Sequence, residues 1–237
     1  MTAATTNGVT LFGSRLSPFV EKVVRALAMK GVAFTLVEPR SPGDFKKWNP
    51  QTGKMPVLEM DGRRVYDSTL ILEGLDASVP EPPLYDPDPA VAARQRFVED
   101  WSDESFYWYQ MALRWAPVNA DASAEQVAAS LPLPALLRPL VKLLLHRQIG
   151  GSARAQGLAR LPFDVILTQL GSRFDELLVW LGDSPFLFSE RPSAADLAVF
   201  GQMQTLRSGP TPQGAELVAQ RPALEAWRRR VDEATGG

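Results

Sequence analysis

The residues of this chain best placed to do chemistry lie between Gly53 and Ser68, in the run G-K-M-P-V-L-E-M-D-G-R-R-V-Y-D-S. Asp61-Gly62, set between two short apolar runs, is the dipeptide of a two-residue hairpin turn, so Pro56 to Met60 and Arg64 to Tyr66 are expected to pair as antiparallel strands. Pro56 opens the first strand with no N–H to donate, and it pushes Met55 into an extended conformation that leaves the Met55 amide groups free. The second strand runs into Asp67-Ser68, where Ser68 is expected to cap a helix over Thr69 to Leu75. A helix start presents free N–H groups and a partial positive charge, which suits a small carboxylate. Asp67 and Ser68 therefore mark a candidate binding site.

Composition removes several other chemistries. The chain has no cysteine and one histidine, His146, so no disulfide, cysteine nucleophile, thiolate metal site or histidine-rich zinc site is available, and no metal is expected. His146, beside Arg147 in a leucine-rich stretch, reads as a surface or packing residue. A net charge of -2 and no basic run longer than Arg228-Arg229-Arg230 give no footprint for nucleic acid or an anionic membrane. Met1 to Gly8 shows no charged segment followed by an apolar core, so a cytoplasmic location is expected.

The most apolar segment, Leu131 to Leu145, contains three prolines with Arg138 and Lys142, and it falls short of the ~20 residues that span a bilayer. It reads as a buried or pocket-covering helix. Contact with a membrane surface is the weaker alternative, because its basic residues are few.

The elements that must position the Gly53 to Ser68 run are legible on either side of it. With 237 residues, 45% of them hydrophobic, the chain can bury one large core or two small ones. Val9 to Gly13 reads as a strand. Pro18 sits at a first helical position, Phe19, Val20, Val23, Val24 and Leu27 recur at helical spacing, and Gly31 is a helix stop. Val32 to Val37 is a second strand, parallel to the first because a helix joins them. A loose segment follows, with at most a short helix around Asp44 to Trp48.

The prolines of Pro80 to Pro89 read as a linker, and beyond it the pattern is helical. Helices are expected over Ala90 to Trp115, Pro134 to Ile149, Leu161 to Leu181 and Pro222 to Ala234. Another starts at Ser193, with Asp196 completing a capping box. On the first of these, Phe97, Trp101, Trp108 and Trp115 form a stripe expected to be packing core.

Three segments, S-R-L-S-P-F-V-E-K-V-V-R-A-L-A-M-K-G-V, N-P-Q-T-G-K-M-P-V-L-E-M-D-G and V-Y-D-S-T-L-I-L-E, in this order and spacing, resemble the cytosolic glutathione transferases, and F-L-F-S-E-R-P-S-A-A-D-L is similar to the capped interior helix of their second domain. The S-P-F and K-M-P segments look nearest to serine-type classes such as tau. The resemblance covers essentially the whole chain. It implies an α/β thioredoxin-like domain over residues 8–79 (βαβ-ββα), a linker over 80–89 and an all-α domain over 90–237.

The resemblance also implies roles for particular residues. Pro56 would follow a cis bond, and Met55 would offer its backbone to the cysteinyl part of glutathione, the co-substrate. Asp67 would pair with the α-ammonium, while Ser68 and the helix start take the α-carboxylate. Lys54, Arg40 or Lys47 would meet the glycyl carboxylate.

The thiol would be activated by a serine of the first loop, Ser17 ahead of Ser14, with a plain N-cap as the other reading of Ser17. Tyr66, on the hairpin, lies away from that loop. Phe19, Tyr107, Met111 and Trp115 would line a pocket for a small hydrophobic electrophile, which Leu131 to Leu145 could roof. A homodimer is expected from the family.

Without cysteine, chemistry through a protein mixed disulfide has no residue to run on. Conjugation of the glutathione thiolate is therefore the expected reaction, and detoxification the expected role. The alternatives are glutathione-dependent aryl-ether cleavage and a non-catalytic ligand-binding or interaction module. The insertion from Asn119 to Arg160 is the largest departure from the family pattern.

Overall fold

A computed structural model describes residues 8–132 and 134–236. The expectation of no signal segment over Met1 to Gly8 falls on residues that, up to Asn7, lie outside that range.

The first half is a four-stranded sheet flanked by helices. β1 (Val9–Phe12) runs parallel to β2 (Phe34–Val37), with Leu11 opposite Leu36, and antiparallel to β3 (Val57–Met60), with Leu11 opposite Leu58. β4 (Arg63–Tyr66) closes the hairpin on β3 with Leu58 opposite Val65, and the spatial order is β2-β1-β3-β4. This is the expected thioredoxin-like arrangement. The hairpin turn forms because Asp61 and Gly62 both take positive φ, 51° and 73°, which that dipeptide tolerates. β2 is shorter than expected, since Val32 and Ala33 precede the ladder.

α1 (Pro18–Met29) covers the sheet, and Gly31 takes φ 63° just past its end, as its sequence requires. α2 (Pro42–Trp48) is the short helix of the loose segment, and α3 (Ser68–Ser78) follows the hairpin. The cap of α3 corrects the sequence reading. Asp67, not Ser68, is the N-cap: its carboxylate accepts from the Thr69 N–H at 2.9 Å and the Leu70 N–H at 3.4 Å, and Ser68 is the first helical residue. An aspartate directly before a serine competes for the same cap position, and the charged acceptor takes it.

The proline-rich connector is irregular but packed. Lys30 reaches from the end of α1 to the Val79 and Pro82 carbonyls at 2.5 and 2.9 Å and to Asp76 at 2.7 Å, while Leu84 is fully buried.

Beyond it the chain is helical. The long helix expected over Ala90 to Trp115 is two helices, α4 (Pro89–Asp100) and α5 (Tyr107–Arg114), joined by a π-helical turn over Trp101–Phe106. Wider turns of this kind rotate the faces of a helix against each other. The expected aromatic stripe is therefore broken: Trp115 is buried, but Phe97 is 66% exposed.

The insertion forms α6 (Ala120–Ser130), a 3-10 turn (Ala135–Leu137), α7 (Arg138–Leu145), a second π turn (His146–Gly150) and α8 (Gly151–Gln156). The sequence expects a buried or pocket-covering helix over Leu131 to Leu145. No side chain from Arg138 to Leu145 is buried, so the first of these readings fails.

α9 (Phe163–Leu181), α10 (Ala194–Ser208), α11 (Pro212–Ala219) and α12 (Pro222–Ala234) complete the chain. α10 is the buried spine. Asp196, fully buried, accepts from the Leu187 and Ser193 N–H groups, the Ser193 hydroxyl and the Trp227 indole, all at 2.8–2.9 Å, so the capping box read from the sequence is formed.

α10 also fixes α1. A Cβ on Gly201 would sit 2.4 Å from the Pro18 carbonyl oxygen, so glycine there lets the two backbones touch and holds the first turn of α1 in place.

Candidate functional site

The first turn of α1, the start of β3 and the start of α3 meet at the carboxyl end of β1. Ser17 is the N-cap of α1: its hydroxyl oxygen accepts from the buried Val20 N–H at 3.4 Å, and its own N–H donates to the Ser14 carbonyl at 2.9 Å. An accepting hydroxyl still has its proton to give. Ser14 is arranged similarly, its hydroxyl accepting from the Leu16 N–H at 3.3 Å. Both serines are nearly buried, at 8% and 9% exposure.

The Ser14 N–H lies 3.2 Å from the Met55 sulfur, which ties the first loop to the start of β3. The Met55–Pro56 bond is cis. Although β3 is an inner strand, its ladder with β1 stops at Val57, and among the described residues no backbone partner satisfies the Met55 N–H or C=O.

Asp67 adopts φ 79°, ψ 135°, a conformation that costs an aspartate on the order of 1–3 kcal/mol and that persists where a site demands it. One of its carboxylate oxygens caps α3, and the other has no partner among the described residues.

Sequence reasoning missed what lies beneath Ser68. Lys22, 1% exposed, places its ammonium 2.6 Å from Glu99, 2.7 Å from Asp103, 3.1 Å from the Thr69 hydroxyl and 3.4 Å from the Ser68 hydroxyl. Glu99 also accepts from Thr69 at 3.1 Å and from the buried Tyr85 hydroxyl at 2.7 Å. Asp103 stands in the π turn after α4, and its second oxygen is buried without a partner. The signal was a lysine on the buried stripe of α1, in line with Pro18 and Ala26 at helical spacing.

Burial alone would lower the Lys22 pKa, but Asp103 and Glu99 outweigh it and hold the ammonium above its usual value. Burial pushes the Asp103 carboxyl up to about 6 against the pull of Lys22. Folded Asp103 therefore keeps its proton more tightly than in the unfolded chain, whose reference value is 3.8. Its contribution to stability is full below about pH 4 and is lost as the pH rises through about 6. Unfolding free energies measured from about pH 4 to pH 6 should show Asp103→Asn gaining on the parent as pH rises. A constant difference would contradict this.

Lys54 is exposed, and among the described residues neither it nor Arg40 nor Lys47 forms an ion pair. Phe19 and Tyr107 face each other across the domains with ring centres 5.1 Å apart. Met111 and Trp115 are buried under the insertion, in a second apolar cluster with Ala120, Ala124 and Ala153. Trp115 meets His146 edge-on at 5.8 Å, so the histidine packs. The cover over this part of α5 thus comes from α6, Leu145 at the end of α7, the second π turn and α8, and the leucines at 140, 143 and 144 take no part in it. Among the described residues no group of acidic or histidine side chains is arranged to hold a metal ion.

Residues 11–83 match the family model described as "Glutathione S-transferase, N-terminal domain". The chain is 32% identical over 85 residues to a probable glutathione transferase of Aplysia californica, a match covering 35% of this chain and 91% of that protein. It is 35% identical over 132 residues to glutathione transferase GST 23 of Zea mays, covering 52% of this chain and 60% of the maize protein. Among solved structures it resembles the beta-etherase LigF of Sphingobium sp. strain SYK-6, with a TM-score of 0.68, 26% identity and 94% of each chain covered.

Proposed function

Because the chain belongs to the glutathione transferase family, we propose that it binds glutathione between the first loop, Met55 and the start of α3, and transfers its thiolate to a small hydrophobic electrophile. What carries this reading is Ser17, a hydroxyl at a helix N-terminus that spends its oxygen on Val20 and keeps its proton for an anion. A free thiol with a pKa near 8.5 needs about 2.7 kcal/mol of thiolate stabilisation to ionise two units lower, within reach of a hydroxyl donor at such a site. Ser14, a turn earlier, is the second candidate for the same role.

In this reading the cysteinyl amide pairs with the open backbone of Met55, before Pro56. The α-ammonium sits on the unpaired oxygen of Asp67. The Ser68 hydroxyl, whose oxygen accepts from Lys22, donates to the α-carboxylate alongside the Ser68 N–H, since the Thr69 and Leu70 N–H groups already donate to Asp67. Lys54 takes the glycyl carboxylate. Phe19 and Tyr107 border the electrophile side, with Met111 and Trp115 behind them. The thiolate sulfur forms a bond to the electrophilic carbon while a halide leaves with the carbon–halogen electron pair, or while an epoxide carbon–oxygen bond opens to an alkoxide that takes a proton from water.

The likeness to LigF supports a second reading, in which that attack breaks a carbon–oxygen bond and a phenolate leaves with the electron pair. A non-catalytic module is the third, and the unpaired Asp67 oxygen and open Met55 backbone weigh against it.

The same reading divides the chain at residues 8–79, 80–89 and 90–237 and places the protein in the cytoplasm, in detoxification. It makes the protein a homodimer through the face where exposed Leu70 and Phe97 flank the Arg96–Glu73 pair.

The test is retention on immobilised glutathione, followed by Asp67→Asn. Loss of a charge-assisted contact should weaken glutathione binding about tenfold or more. No retention of the parent would favour the module, and an unchanged affinity in the variant would remove Asp67 from the site. Turnover of aryl halides and epoxides, against release of a phenol from aryl ethers, separates the first two readings.

A further inference from the structure

The insertion turns its apolar side outward. Leu136, Leu140, Leu143 and Leu144 are 91, 55, 49 and 53% exposed, and their spacing places the last three on one side of α7. The opposite side is already occupied. Lys142 reaches Asp121 at 2.8 Å and Glu125 at 3.3 Å on α6, and Leu145 and Ile149 pack into the cluster around Trp115. The leucine side therefore does not face the core of this chain, and a contiguous exposed apolar patch marks an interaction surface.

Charge selects the partner. Residues 119–160 hold five basic side chains, at 138, 142, 147, 154 and 160, against two acidic ones, at 121 and 125, a net of +3 in a chain whose total is -2. No acidic residue occurs from Leu131 to Arg160. Arg147 follows Leu143 and Leu144 at helical spacing and, among the described residues, has no ion-pair partner. A second copy would bring an equal positive charge against this one. An anionic surface is attracted to it.

We propose that the leucine side of α7, with Arg147 beside it, docks this protein in plane on an anionic lipid bilayer. The sequence made contact with a membrane surface the weaker alternative for this segment because its basic residues are few, and the structure adds that its leucines face outward with Arg147 beside them. Among the described residues no helix is long and apolar enough to cross a membrane, so the contact is interfacial: leucines enter the headgroup boundary and Arg147 meets the lipid phosphates.

The test is sedimentation of the full chain with vesicles of phosphatidylcholine alone and of phosphatidylcholine mixed with phosphatidylglycerol. Binding is expected to the mixed vesicles, to weaken with added salt, and to fall about tenfold or more in the Leu140→Glu/Leu143→Glu variant. Arg147→Glu, which leaves the leucines in place, should also weaken it several-fold. Retention on immobilised glutathione should be the same for all three proteins, which separates this face from the proposed site. Absence of binding to the mixed vesicles at low salt would overturn the proposal, as would undiminished binding by both variants. Loss of self-association in the leucine variant without vesicle binding by the parent would assign the face to a second copy and likewise overturn it.

Discussion

Ser17→Ala is expected to lower kcat/KM at neutral pH about 25-fold while glutathione binding changes little. The hydroxyl is assigned one task, donation to the sulfur once the thiol proton has gone, and the thiolate fraction at pH 7 scales with the pKa it depresses. A shift of two units, from about 8.5 to about 6.5, is worth about 2.7 kcal/mol and at pH 7 raises that fraction from about 3% to about 76%, a factor near 25. The ligand's other anchors, at Met55, Asp67 and Ser68, stay in place, so affinity is spared. The loss should be recovered at high pH, where the thiol ionises unaided.

Loss of the Ser17 cap on the Val20 N–H costs roughly 1 kcal/mol of stability, too little to unfold the domain. Rates of Ser17→Ala and Ser14→Ala against pH check the assignment. If Ser14→Ala alone moves the profile, Ser14 is the donor.

Lys22→Met is expected to be among the most damaging substitutions for folding. It removes the one cation among two buried carboxylates, Glu99 at 2.6 Å and Asp103 at 2.7 Å, and strips the Ser68 and Thr69 hydroxyls of a donor. Breaking one side of a buried pair costs about 3–5 kcal/mol because the remaining charge has no solvent. For a chain of this size that lowers the melting temperature by on the order of 10 °C. Adding Glu99→Gln and Asp103→Asn should restore part of the loss, since the stranded charges go. A melting temperature within about 2 °C of the parent would mean that water reaches the cluster and screens it.

The part of the fold that was legible came from local rules. Asp61-Gly62 specified the hairpin, Pro18 and Gly31 the ends of α1, and Ser193 with Asp196 the start of α10, because each of these signals acts over a few residues.

What was illegible depends on distant partners. The π turn that breaks the aromatic stripe has no composition cue, yet it brings Asp103 to Lys22, 81 residues away in sequence. The exchange of cap between Asp67 and Ser68 was decided by which acceptor the backbone at φ 79° could present. The sequence expected α7 to be buried or to cover a pocket; Lys142 and Leu145 take the side that faces α6 and Trp115, and Leu140, Leu143 and Leu144 are left outside. The candidate site itself was readable as residue types at the ends of elements, and its foundation, the buried Lys22 cluster, was not.

The most direct test of the proposed function is a crystal structure of the protein with glutathione. The account predicts the cysteinyl amide paired with the Met55 backbone, the α-ammonium on Asp67, and the sulfur within hydrogen-bond distance of the Ser17 hydroxyl. Crystals that stay empty at saturating glutathione, or a ligand whose sulfur lies beyond reach of both Ser17 and Ser14, would contradict it.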